Sequence, residues 1–176
     1  MNRRFFLTSG LTLGAVAVLS KSVLASAALD HSKRTNAGRA ATNLPFRRVI
    51  KTDAEWKRIL TPEQYDVTRQ QGTEAPYSSP LNDVHDGGTF QCVSCALPLF
   101  VSKTKFDSHT GWPSFWAPIA KQNVRENVDK SIPGEPRTEV LCARCDAHLG
   151  HVFNDGPKPT GLRYCMNGVA MKFVKA

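Results

Sequence analysis

Five cysteines set the chemical possibilities of this sequence, because a thiol can serve either as a nucleophile or as a metal ligand. Four of them form two knuckles, Cys92-Val93-Ser94-Cys95 and Cys142-Ala143-Arg144-Cys145. Two residues between cysteines let both sulfurs reach one ion, and two such pairs complete a closed tetrahedron, the form of a structural zinc site. The 46 residues between the pairs exceed the usual ribbon spacing, so the ion would join distant parts of the chain. Other uses of these thiols stay open. A rubredoxin-like iron site takes the same ligands. Two redox-active Cys-x-x-Cys pairs would need a thioredoxin-like βαβ setting, of which the sequence shows no sign. Cys142, Cys145, His148 and His151 could also close a site alone, freeing Cys92 and Cys95 for redox work.

The fifth cysteine, Cys165, lies in the strand-like run Arg163-Tyr164-Cys165-Met166-Asn167. Residues two apart share a face of a strand, so Arg163, Cys165 and Asn167 point together and Tyr164 and Met166 point the other way. A free thiol with a pKa of about 8.5 is only about 3% thiolate at pH 7, and a neighbouring cation raises that fraction. A reactive thiol between a guanidinium and an amide is one reading; a buried inert cysteine with two surface neighbours is the other. His148-Leu149-Gly150-His151 offers candidate proton donors. The turn Gly111-Trp112-Pro113-Ser114-Phe115-Trp116 is either core packing or the wall of a pocket for an apolar group.

The elements that must position these residues follow from capping and periodicity. Thr52-Asp53-Ala54-Glu55 has the form of a capping box, and Trp56, Ile59 and Leu60 follow at helical spacing. Thr61-Pro62-Glu63-Gln64 repeats the device with proline at the first helical position, predicting a second helix that runs to about Gln71 and stops at Gly72. From Phe90 onward, short β-leaning runs (Thr89–Gln91, Thr138–Leu141, Leu162–Val174) alternate with Gly and Pro punctuation. Asn154 to Gly161 can only be a loop. The reading is a small, mainly β antiparallel domain with a short helical cap.

The chain of 176 residues suits one domain plus a tail. Arg3-Arg4, the 16 uncharged residues from Phe5 to Ser20, and Ala25-Ser26-Ala27-Ala28 are the three parts of an export signal. The apolar stretch is short and diluted for a spanning helix, so no stable membrane insertion is expected after signal removal. The paired arginines resemble a twin-arginine signal over residues 1–27, which implies a periplasmic destination for a protein exported already folded. That route also suits zinc loading before the thiols meet an oxidising compartment. Residues 28–43 read as a flexible linker, and the folded part as residues 44–176. The net charge of +8 falls to +3 over 44–176, and four zinc-bound thiolates lower it further. The basic balance belongs mostly to the tail, and no nucleic-acid partner is expected.

Lys105-Phe106-Asp107, Gly111 to Phe115, the two knuckles, and His148 to Pro157 followed by Arg163 to Asn167 together resemble the B-type peptide-methionine (R)-S-oxide reductases, over about residues 45–175. The resemblance implies two antiparallel sheets (β-tent-like) with helices beside them, one structural zinc remote from the chemistry, and a nucleophile at Cys165. By position, His148, His151, Arg163 and Asn167 match that family's polar active-site shell, and Trp112 its wall for the substrate's methyl group. The implied activity is reduction of the R epimer of methionine sulfoxide, mainly in oxidised proteins, through a sulfenic acid on Cys165. Many family members carry a resolving cysteine where this chain has Thr110. With four cysteines on zinc, recycling is expected from an external reductant, a thioredoxin-like protein or a small thiol. Gly168 also departs from the family pattern. A non-catalytic zinc-ribbon binding module and a thiol peroxidase are the alternative readings. Intact-mass measurement of exported protein is expected to give an amino terminus between residues 26 and 29; retention of residue 1 would mean an uncleaved anchor instead.

Overall fold

The computed structural model describes residues 44–176; the expectations for an export signal over 1–27 and a linker over 28–43 lie outside the described residues. Helix α1 (Asp53–Ile59) and helix α2 (Pro62–Gln70) both begin at the anticipated threonines. At each start the threonine hydroxyl accepts from the third helical N–H, and the Glu55 or Gln64 side chain accepts in return from the threonine N–H. Helix α2 ends one residue earlier than the sequence suggests. Gln71 takes the left-handed turn itself, at φ 62°, while its side-chain amide donates to Glu139 Oε1 at 3.0 Å. That tertiary hydrogen bond offsets the cost of placing a non-glycine residue there.

Among the described residues, nine strands follow: β1 (Gly88–Cys92), β2 (Pro98–Val101), β3 (Lys105–Phe106), β4 (Ser114–Phe115), β5 (Val124–Asp129), β6 (Arg137–Cys142), β7 (His148–Phe153), β8 (Arg163–Met166) and β9 (Met171–Lys175). They form two antiparallel sheets, β2-β1-β9 and β3-β4-β8-β7-β6-β5. The mainly β class with two antiparallel sheets and two short helices agrees with the sequence reading. One strand-like run does not survive intact. Leu162–Val174 is divided between β8 and β9, which belong to different sheets, by a tight turn over Gly168–Ala170. The polar segment Val124–Asp129, which has no apolar alternation, is an edge strand with its middle residues exposed.

The core between the sheets is aromatic. Phe90 of β1 meets Phe115 of β4 edge-to-face at 4.9 Å; Phe100 of β2 stacks on Phe115 at 4.4 Å and approaches Tyr164 of β8 at 5.7 Å. Phe90, Phe100 and Phe115 are fully buried, so each joins one sheet to the other through area lost to water and quadrupole contact together. Among the described residues, no helix is long and apolar enough to cross a membrane.

Candidate active site

Strand β8 is central in its sheet, and its register decides what surrounds the fifth cysteine. Cys165 lies opposite Ser114 of β4 on one side and opposite His151 of β7 on the other. His151 in turn opposes Glu139 of β6. As the alternation required, Tyr164 and Met166 are buried in the core, while Cys165 keeps partial access to solvent. The thiol opens on a cavity of about 120 Å³ lined by Trp112, His151, Phe153, Arg137, Asn167 and the backbone of Gly150. A Cβ on Gly150 would meet the Cys165 carbonyl oxygen at 2.2 Å, so only glycine lets β7 lie this close to the cysteine.

His151 faces this cavity under close control. Its Nε2–H donates to Asp129 Oδ2 at 2.8 Å, and that carboxylate also accepts from the Ser131 backbone N–H at 2.8 Å and from Arg137 Nη2 at 2.6 Å. The Ser131 backbone bond, then the neighbouring side chains, hold the Asp129 carboxyl well below the usual carboxylate range. Burial pushes the His151 imidazolium toward losing its proton, and the Asp129 bond partly opposes this. His148, by contrast, does not line the cavity. It is buried behind His151, the rings 5.4 Å apart, with Nδ1–H donating to Glu139 Oε1 at 2.7 Å. The structure thus separates two histidines that the sequence alone left equal.

Arg163 is gripped by Asp155 through two hydrogen bonds of 2.8 Å, and its guanidinium lies over Phe153 at 4.4 Å. This grip leaves the cation within electrostatic reach of the Cys165 sulfur. Asn167 is buried and committed: its Oδ1 accepts from the Glu74 N–H at 3.1 Å and its Nδ2 donates to the Leu149 carbonyl at 3.3 Å. The Trp112 indole N–H donates to the Glu74 carbonyl at 3.2 Å. The Glu74 carboxylate accepts from the N–H groups of Gly168 and Val169 at 2.6 and 2.8 Å, and burial raises its pKa. Glu74 therefore ties Trp112, Asn167 and the turn after β8 to one point. Sequence reasoning missed it, along with Asp129, Arg137 and Glu139, because isolated acids and cations carry no local spacing signal. The departure at Gly168 also has a physical reason here: a Cβ would strike Ser79 Oγ at 1.8 Å.

Thr110 Oγ1 lies 3.8 Å from Cys165 Sγ and belongs to a chain of hydroxyls, 2.8 Å to Ser108 and a further 2.7 Å to Ser114. The Thr110 hydroxyl is therefore in contact with the thiol.

The four remaining cysteines stand apart from this cavity, with their sulfurs all within 4.8 Å of one another. Cys92 and Cys145 approach to 3.7 Å and Cys95 and Cys142 to 3.6 Å. A tetrahedral ion with Zn–S bonds of 2.3 Å places sulfurs about 3.8 Å apart, so the arrangement fits. The two knuckles share one geometry. Ala96 and Asp146 occupy the left-handed turn at φ 59° and 56°, and each donates its N–H to the first cysteine's carbonyl. Neither His148 nor His151 belongs to this cluster, which rules out the Cys142-Cys145-His148-His151 site.

The SelR domain family matches residues 60–175. The chain is 56% identical over 126 residues to peptide methionine sulfoxide reductase MsrB of Herminiimonas arsenicoxydans, covering 72% of this chain and 91% of that protein. It is 55% identical over 128 residues to the MsrB of Pseudomonas putida strain W619 (73% and 96% covered). It is also 55% identical over 124 residues to the chloroplastic peptide methionine sulfoxide reductase B1 of Oryza sativa subsp. japonica (70% and 58% covered).

Three outcomes follow from this geometry. Because Asp129 is the group that raises the His151 pKa against burial and Arg137, Asp129→Asn is expected to lower it further, which an NMR titration of the imidazole reads directly; an unchanged or raised value would contradict the pairing. The folded chain binds fewer protons than the unfolded one at both groups, so stability should fall on acidification, first below about 6.5 and again below about 3.8. Cys92→Ser should release the bound metal and lose cooperative thermal unfolding at the same time; a metal-free variant melting like the parent would show that the ion holds nothing together.

Proposed function

The chain belongs to the SelR-domain family, the B-type peptide methionine sulfoxide reductases, and from that premise we propose that it reduces the R epimer of methionine sulfoxide at Cys165, mainly in oxidised proteins. It is thus an oxidoreductase, and the family assignment removes the non-catalytic zinc-ribbon alternative. One observation carries the reading at residue level. The single thiol outside the metal cluster opens on an aromatic-walled cavity that it shares with His151, a histidine held by a carboxylate.

The cavity suits a methylthio group. Trp112 and Phe153 offer ring faces and edges to the methyl and sulfur, a contact worth about 0.3–1.5 kcal/mol that serves orientation more than affinity. The Cys165 sulfur attacks the sulfoxide sulfur, with the guanidinium of Arg163 within electrostatic reach of the reacting atoms. His151, when protonated, donates to the departing oxygen from Nδ1, because Nε2 is held by Asp129. Burial makes that imidazolium a stronger acid than a solvated one. Overall, the sulfoxide S–O bond breaks and a Cys165 S–O bond forms. The cysteine sulfur loses two electrons, the methionine sulfur gains them, and thiol plus sulfoxide become sulfenic acid plus thioether. Asn167 has both ends of its amide engaged and acts by keeping the cavity wall in place; His148 and Glu139 support His151 from behind. Zinc would be held by Cys92, Cys95, Cys142 and Cys145 and would supply a structural crosslink, since four thiolate ligands leave no open position on the ion.

Recycling falls to an external reductant, a thioredoxin-like protein or a small thiol. Two thiols convert the sulfenic acid to Cys165 thiol, releasing a disulfide and water. Thr110 supports this route, since a hydroxyl stands where the second thiol would have to be. Export by the twin-arginine route to the periplasm is part of the same proposal, supported by Arg3-Arg4 and the small-residue end of the signal.

With dithiothreitol and resolved epimers, the enzyme should consume only the R form, and Cys165→Ser should lose at least about a thousandfold in kcat, as expected when a nucleophile is removed. Consumption of both epimers, or activity surviving the substitution, would contradict the assignment. After one turnover without reductant, dimedone should label Cys165 in the parent. It should fail to label Thr110→Cys, in which the new thiol captures the sulfenic acid as a disulfide.

A further inference from the structure

A second cavity, of about 220 Å³, has Trp112 as the one lining residue in common with the Cys165 cavity. The smaller cavity accounts for a methionine sulfoxide side chain and leaves the larger one without a role. A polypeptide whose side chain enters the Cys165 cavity can continue past this shared indole. Successive residues advance about 3.3 Å in an extended chain, so a neighbour one or two positions away reaches beyond a ring of this size.

The mouth of the second cavity is built around Tyr77, which is 70% exposed yet held at both ends. Its N–H donates to the Gly111 carbonyl at 2.7 Å and its hydroxyl to the His109 carbonyl at 2.9 Å, on backbone at φ 61°. A left-handed conformation costs a tyrosine free energy, and this ring recovers almost none of it by burial. What the arrangement does provide is a rigid, exposed aromatic face that loses little further entropy on contact. The charges around it are uneven. The Lys105 ammonium is half-buried and donates to the Asn82 carbonyl at 2.7 Å, whereas Asp83 and Asp107 are exposed.

We propose that this cavity is a subsite for the residue flanking methionine sulfoxide in a polypeptide substrate, and that it favours Lys or Arg, whose stem lies on the Tyr77 ring and whose charge meets Asp83 and Asp107. The proposal rests on the reductase reading above and extends its substrate contact beyond the reacting side chain. A cation over an aromatic face and two carboxylates reinforce one another, and an acidic neighbour meets repulsion from the same pair.

The test compares kcat/KM for capped tripeptides with central methionine-R-sulfoxide, flanked on both sides by Lys, Ala or Glu, with that for N-acetyl-methionine-R-sulfoxide. The Lys-flanked peptide should exceed the Glu-flanked one by about fivefold at low salt. Asp83→Asn should narrow that ratio. Tyr77→Ala should lower the ratio of Lys-peptide to N-acetyl rates roughly three- to tenfold, and Tyr77→Phe should largely preserve it. Equal rates for Lys and Glu peptides in the parent, or a preference that survives both Asp83→Asn and Tyr77→Ala, would overturn the subsite. Failure of the parent on all four compounds would instead overturn the reductase reading.

Discussion

The register of β8 between β4 and β7 is the constraint from which the rest of the site follows. Antiparallel pairing sets Cys165 against Ser114 and His151, and a slip of one residue would bury the thiol and expose Tyr164 and Met166. That slip is opposed by the aromatic cluster beneath. Tyr164 packs on Phe100, and its strand partner Phe115 stacks on the same ring. Burial of apolar area on one face thus aims the Cys165 thiol from the other.

Two braces hold this arrangement from different ends. The Glu74 carboxylate, itself buried, caps the turn that ends β8, while its backbone holds Trp112 and Asn167. A carboxylate so placed relies on its N–H donors, so the turn and the cavity wall stand or fall together. The thiol cluster, apart from this cavity, is the second brace. Cys92 ends β1 in the smaller sheet and Cys142 ends β6 in the larger, so one ion held by the four thiols would crosslink two sheets that share no strand pairing. The division of labour among five chemically identical side chains is thereby spatial: four converge on one another, and the fifth points into a cavity they do not line.

Much of this was legible beforehand wherever the signal is local. The capping boxes at Thr52 and Thr61, the knuckles, and the alternation around Cys165 each depend on residues within a few positions of one another, and each appears in the structure. Non-local relations were not legible. Glu74 and Gly168 are 94 residues apart, and Asp129 and His151 are 22 apart. Nothing in either sequence neighbourhood announces the partner. The split of Leu162–Val174 into two sheets was hidden for the same reason, since the carboxylate that caps the intervening turn comes from the far end of the domain.

The amino-acid sequence by itself determined which thiols could share an ion, which one was left over, and which side chains flank it on a strand, because those are matters of spacing along a chain with fixed periodicity. Only the tertiary structure decided that His151 and not His148 faces the thiol, that Thr110 touches it, and that a glutamate remote in sequence anchors the cavity wall. Those outcomes rest on a bulge between β6 and β7, on close backbone approach at Gly150, and on buried hydrogen bonds whose partners meet only after the sheets have closed.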